Sequence, residues 1–384
     1  MQTFTFKVRN LLVLVMLLCG LSSRAADDLI TQQITINVAE AGTLSAKIGT
    51  NKMYKITNLK LAGFLNGEDF AFIRKISGDG CHLETLDMSE AQIVDGGSYK
   101  TYHTCSKDEI GDYMFQYCNS LKTIIVPTSV KTIQMYAFQG CTNLTSFVVP
   151  DGVTMLELET FCGCTNLESV SIPSSVVEIG MDVFHKCTSL KSVVIPNSVK
   201  KIGMSAFEEC ESLESVKLSE SLKSIPDFAF LGCKKMSSIQ IPESVTKIGT
   251  LAFGDCLELS SFIVPKNVAS LGDRCFRNCS KLQSIYVHSD NVLNVGDNAF
   301  DGCDKEKCMV YIPKGTYQEY WLSEFGYFNN LIEYDATGIN QVSTSANAKP
   351  LSRHSVNGQR LTSPTKGLNI VKYSDGSVRK EMVK

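Results

Sequence analysis

From Leu121 onward the chain repeats itself every 23 residues, and no other feature restricts its fold as severely. Units begin at Leu121, Leu144, Leu167, Leu190, Leu213, Met236, Leu259 and Leu282. Leu190 to Ser212 reads LKSVVIPNSVKKIGMSAFEECES, and Leu167 to Ser189 reads LESVSIPSSVVEIGMDVFHKCTS. Columns recur through the array. The fourth residue is apolar (Ile124, Phe147, Val170, Val193), as is the sixth (Val126, Val149, Ile172, Ile195), and proline usually follows. A later apolar pair (Val130 and Ile133, Val199 and Ile202) precedes an aromatic column running from Phe138 to Phe300. Three residues after each Phe stands a cysteine, from Cys141 to Cys303.

The columns dictate a local structure. Apolar residues at positions four and six flank a variable fifth, which is the period of a strand with one buried face. Proline ends that strand because it cannot donate to a ladder. The second apolar pair predicts another short extended segment, and A-F-x-x-C predicts a short helical turn that returns the chain. A 23-residue unit cannot bury its apolar side alone, so the units must stack into one continuous core. Parallel strands about 4.8 Å apart make eight units a rod roughly 40 Å long.

The array extends in both directions. Leu83, Leu86 and Met88 fit the strand columns, and Phe115 and Cys118 fit the later ones. Between them a polar and aromatic insertion around Gly96 to Lys107, with Tyr99, Tyr102 and His103, is expected to loop out. Val310, Ile312 and Pro313 predict a last strand, and the segment from Tyr317 to Tyr334, with the sole Trp321, is expected to close the end of the core. Residues 26–82 lie outside the repeat and read as an N-terminal cap, with a helical run from Asn66 to Ile76. The solenoid is assigned to 83–334 and a Ser/Thr/Asn-rich linker to 335–350. Residues 351–384 form a β tail, with strands over Ser355 to Leu361, Lys366 to Tyr373 and Ser377 to Val383.

The pattern L-x-x-V-x-I-P-x-x-V-x-x-I-G-x-x-A-F-x-x-C resembles the leucine-rich repeats of BspA-like bacterial surface proteins, over about Leu83 to Pro313. The resemblance implies a right-handed superhelical solenoid with one short parallel strand per repeat. It also implies an exported protein of Bacteroidetes or similar bacteria, associated with adhesion to a host or another bacterium. The tail, with NGQRL and KGLNIV, resembles C-terminal segments of Bacteroidetes secreted proteins, which implies a sorting signal to the cell surface.

The N-terminus agrees with export. Lys7 and Arg9 precede an apolar run, Leu11 to Leu21, too short to span a bilayer, and Ser23-Arg24-Ala25 offers a cleavage site, so 1–25 reads as a signal peptide. Acylation at Cys19 is the alternative, although Leu18 before it is larger than a lipoprotein signal usually has. No later stretch is apolar enough for a membrane helix. The net charge of −3 lacks the basic excess of a nucleic-acid binder.

The candidate binding residues follow from the strand period. The fifth residue of each unit points outward: Ile125, Val148, Ser171, Val194, Lys217, Gln240, Ile263 and Tyr286. An exposed apolar row marks an interface, or it reflects only the β-propensity of branched residues. The face measures roughly 600 Å², against about 800 Å² per partner in a standard interface. The insertion, through Tyr99, Tyr102 and His103, is the second candidate. A lysine row (Lys131, Lys200, Lys201, Lys223, Lys247) solvates an edge or attracts an anionic partner. Nine cysteines from Cys118 to Cys303 form one column. Their Cβ atoms point the same way, so buried thiols are favoured over disulfides. Cys162 with Cys164 and Cys275 with Cys279 are the pairs most open to local bridging. A linear ladder does not converge on a metal, no cofactor motif occurs, and the five histidines are scattered. A dyad of His185 with Cys187 is poor because that cysteine belongs to the structural column. The reading is a non-catalytic binding solenoid for a protein or glycan; the alternative is a surface spacer with no ligand.

Overall fold

The computed structural model describes residues 28–289, 291–335, 350–355, 359–373 and 378–383. The targeting segment, Cys19, most of the linker and the turns at Asn357-Gly358 and Asp375-Gly376 lie outside the described residues. The array is a solenoid of parallel strands. Repeats join through up to three rows of hydrogen bonds, because three stretches of a unit face the same stretches of the next; the main-strand pairing is broken between Ser169–Ser171 and Ser192–Val194.

The first row is the main strand. Ser146–Val148 pairs with Ser169–Ser171, and Ser192–Val194 with Ser215–Lys217, always in parallel and offset by one repeat, so that Phe147 lies opposite Val170 and Val193 opposite Val216. The second row is the later apolar pair, with Ile133, Leu156, Ile179 and Ile202 in register. The third row is the A-F-x-x-C segment, which is a run of linked turns and not a helix. Tyr136, Phe138 and Gly140 donate their backbone N–H groups to Leu158, Thr160 and Cys162 of the next repeat, while Ala137, Gln139 and Cys141 close bonds three residues back. Alternating inward and outward bonds require a left-handed residue at each corner. Tyr136 has φ 60° and Gly140 φ 70°, and the equivalent corners Lys186 and Glu209 have φ 60° and 55°.

The core follows from these rows. Nine phenylalanines from Phe115 to Phe300 stack face to face with centroids 5.2–5.6 Å apart, which spares each ring contact with water on both faces. All fourteen cysteines among the described residues are free thiols. From Cys141 to Cys303 each column Sγ donates to the carbonyl of the Phe one repeat earlier, as in Cys210 to Phe184 and Cys233 to Phe207 at 3.2 and 3.3 Å. Cysteine therefore supplies a small apolar body and a weak donor at once.

The sheet continues into the N-terminal region. The strands β1 (Ile34–Val38), β2 (Asn58–Leu65) and β3 (Thr85–Ile93) run parallel and join Thr123–Ile125. After β1 and β2, the helices α1 (Leu44–Ile48) and α2 (Gly67–Ser77) replace the turn rows. Asn66 and Asp69 form a capping box on α2, and buried Asp69 also accepts from Gly42 and Leu44 at 2.7 and 3.0 Å. One carboxylate thus binds both helix starts.

At the far end Met309–Pro313 adds a strand, and Asn330–Tyr334 adds another beyond it. Between them lies the short helix α3 (Tyr317–Trp321). Phe325 and Phe328 cap the Phe stack, with ring centroids 5.0 and 5.2 Å from Phe300, and Tyr320 is fully buried. Trp321, expected at this closure, is 52% exposed; smaller rings fit the end of a one-Phe-wide core. The tail is an antiparallel sheet of Pro350–Ser355, Arg360–Leu361, Gly367–Tyr373 and Val378–Val383, with the first of these in residues read partly as linker.

Candidate functional site

Alternation along each main strand separates core from surface. Val193 and Ile195 are buried while Val194 between them is 59% exposed. The same holds for Ile125 at 44% and Val148 at 69%. Ser171, Lys217 and Gln240 are exposed in the same row. Four repeats thus present three large apolar side chains, interrupted only by Ser171, and the polar Lys217 and Gln240 follow.

The row does not stay open to its end. Ile263 is half-buried and Tyr286, expected to point into solvent, is 7% exposed. Ser284–Val287 is buried on both faces. The aromatic side chains of the added strands cause this: Tyr286 stacks on Tyr311 with centroids 4.5 Å apart, Tyr334 meets Tyr311 edge-on, and the Tyr334 hydroxyl donates to the Val287 carbonyl at 2.9 Å. The accessible row therefore runs from Ile125 to Gln240.

The insertion is an ordered hairpin, not a loop leaving the stack. The strands β4 (Gly96–Lys100) and β5 (His103–Cys105) pair antiparallel. Gly97 lies so close to Gly67 that a Cβ on Gly67 would meet backbone at 2.2 Å, so the hairpin is seated on the start of α2. Tyr99 is consequently buried, its hydroxyl donating to the Asp112 carbonyl at 3.2 Å, and burial pushes its phenol pKa up. It is not a free contact residue. Tyr102 at the turn is 99% exposed with φ 66°. His103 is half-buried between Tyr99 and Tyr113, with centroids 5.9 and 5.4 Å away. Tyr113 stacks in turn on Tyr136 at 4.7 Å, and the Lys100 ammonium sits 3.9 Å above the Tyr113 ring.

A third surface was not read from the sequence. Met135, Met181 and Met204 are 40–44% exposed in one column beside the turn row. The signal was available in the residue that follows each I-G or its equivalent, where Leu158 completes the column. Some charges pair between repeats. Lys191 meets Glu168, Lys201 meets Glu178, Lys234 meets Glu211 and Lys281 meets Glu258, at 2.6–2.8 Å. These exposed pairs contribute little stability, and of the lysine row they neutralise Lys201 alone.

The column cysteines are poor nucleophiles. Burial raises their thiol pKa values, Cys256 and Cys303 to about 12. His185 faces Cys162 and not Cys187: the Cys162 Sγ lies 3.9 Å from His185 Nδ1, whereas the Cys187 Sγ is buried against the Phe161 carbonyl. Burial also pushes the Cys162 thiol up to about 12, which is contrary to nucleophilic activation.

Among the described residues no helix is long and apolar enough to cross a membrane. No curated protein matches the chain. Among solved structures, a leucine-rich repeat protein from Bacteroides ovatus is 26% identical over 61% of this chain, with a TM-score of 0.46; the alignment spans 66% of that protein. A Leucine Rich Repeat protein of T. pallidum is 37% identical over 39% of this chain and 71% of its own, with a TM-score of 0.38. A leucine rich cell surface protein from Faecalibacterium prausnitzii is 21% identical over 66% of this chain and 82% of its own, with a TM-score of 0.27. The profile of the BspA type leucine rich repeat region matches residues 108–215 and 200–319 in six copies. With more than half of its length covered by that repeat and the three stacked rows that the repeat builds, the chain belongs to the BspA-type leucine-rich-repeat family.

Proposed function

We propose that this is an exported, cell-surface binding protein, adhesin-like, which takes a protein or glycan partner on the exposed face of its main strands. The observation that carries the reading is the exposure of Ile125, Val148 and Val194 at the same position of their main strands, the first two on one continuous sheet. Apolar side chains held on a preformed face lose little entropy on binding, and contiguous apolar exposure favours an interface. Membership of the BspA type supports a surface location. On this reading residues 1–25 direct export and 351–384 act in sorting. The face is below the roughly 600 Å² of the full row, so adjoining loops or several copies must add to the affinity. Tyr102 and His103 belong to a hairpin packed beside the turn row, His103 against Tyr113, and are a separate candidate contact at the same end of the array.

The test is a screen of residues 26–384 against host extracellular-matrix proteins and glycans. It runs beside a folded control carrying Ile125→Glu, Val148→Glu and Val194→Glu. Binding that disappears in the control supports the strand face. Binding that persists moves the site to the hairpin or the methionine column. A chain that binds nothing favours a spacer that holds other material at the surface.

A further inference from the structure

On the turn row, residues one repeat apart lie side by side, and one such meeting combines donors that a packing column does not need. His185 and Glu208 occupy the same column of successive repeats, and Glu209 is next in the chain. One ligand atom from each of the three lies within 4.8 Å of the others. The His185 Nε2 is shut off from solvent and has no hydrogen-bond partner, and Glu209 Oε1 is 3.9 Å from it, too far for a hydrogen bond. A buried ring nitrogen left without a partner carries a desolvation cost. The other ring nitrogen, Nδ1, lies 3.9 Å from Cys162 Sγ and 3.7 Å from Asp182 Oδ1, the latter also too far for a hydrogen bond.

We infer that His185, Glu208 and Glu209 form a binding site for a divalent transition ion of borderline hardness, best matched by Zn²⁺, with Asp182 orienting the imidazole. Zinc bonds of about 2.0–2.2 Å to nitrogen and carboxylate oxygen put neighbouring ligand atoms roughly 3.3–3.6 Å apart in a tetrahedron. Closing the present separations to that range takes small side-chain rotations. One imidazole and two carboxylates select zinc-like ions over Mg²⁺ and Ca²⁺, which prefer all-oxygen shells. A carboxylate hydrogen-bonded to the distal nitrogen is the usual support for a metal-bound histidine, and Asp182 Oδ1 would reach that position by closing under about 1 Å from its 3.7 Å separation. The three side chains are only half-buried, so water can complete the coordination shell.

The position gives the ion a structural role. Ser169–Ser171 is the last strand of a six-stranded sheet, and Ser192–Val194 begins a separate pair. The main row is therefore interrupted between these two repeats. His185 belongs to the first and Glu208 and Glu209 to the second, so a bound ion adds a side-chain link between two repeats that the second strand row and the turn row already join.

The test titrates ZnCl₂ into the full chain, reduced and free of any histidine tag, by calorimetry and thermal unfolding. One Zn²⁺ is expected per chain at this site, with a rise in Tm that millimolar CaCl₂ or MgCl₂ does not reproduce. Affinity should fall at least about tenfold in His185→Ala and in the double variant Glu208→Gln with Glu209→Gln, and about tenfold in Asp182→Asn. Cys162→Ser should bind as the wild type does. Co²⁺ substitution gives a second readout: its spectrum should lack the intense thiolate charge-transfer band. Zn²⁺ that leaves Tm unchanged, that binds His185→Ala as tightly as the wild type, or that depends on Cys162 overturns the assignment.

Discussion

At the residue scale the stability of this solenoid rests on like residues stacked on like. Phe184 is fully buried between Phe161 and Phe207, with centroids 5.6 and 5.2 Å away. Phe184→Ala opens a cavity bounded by two rings that the backbone rows hold in place. It should destabilise the chain by about 3–5 kcal/mol in urea unfolding; a loss below about 1 kcal/mol would mean that the stack can collapse. The thiol column adds a pH dependence. Burial lifts these thiols from the ordinary 9.0, Cys256 to about 12. A raised folded value means that stability is complete below the unfolded value and is lost as pH rises above it. Melting temperature should therefore fall from about pH 9 upward, and Cys256→Ala should flatten the decline. A melting temperature constant from pH 8 to 11 would remove the thiols from the account.

At the element scale the interior of the array was legible because every column was sampled eight times over, from Leu121 to the unit at Leu282. What a single sample encodes was not. A-F-x-x-C predicts a short helical turn that returns the chain; the chain does turn there, through linked turns whose corners Lys186 and Glu209 adopt left-handed φ, a preference no side chain there advertises. Tyr99 was read as a surface residue because the hairpin's seat on Gly67 depends on a close backbone approach that periodicity does not carry. Tyr286 was read as exposed because its cover, Tyr311 and Tyr334, comes from strands outside the repeat. His185 and Glu208 lie 23 residues apart in one column, so a column-by-column search for unlike polar neighbours would have found them. The N-terminal helices make their own prediction. Asp69→Ala removes the acceptor for Gly42, Leu44 and Asn66. It should cost roughly 3 kcal/mol or more and speed amide exchange at those three positions first. Uniform acceleration across the array would indicate that the region does not open as a unit.

At the scale of the whole molecule, one rigid rod offers two apolar surfaces on different sides. The strand face carries Ile125, Val148 and Val194, and the turn side carries Met135, Met181 and Met204. Branched residues on a sheet are held in few rotamers, whereas methionine is flexible; the strand face is therefore the better preorganised of the two. The most direct measurement is the dissociation constant of an identified partner against two single variants of equal charge change, Val148→Glu and Met181→Glu. With the strand face as the binding surface, Val148→Glu weakens binding at least about tenfold, some 1.4 kcal/mol, and Met181→Glu leaves it within about twofold. Unchanged affinity in Val148→Glu together with loss in Met181→Glu would contradict the account and place recognition on the turn side of the solenoid.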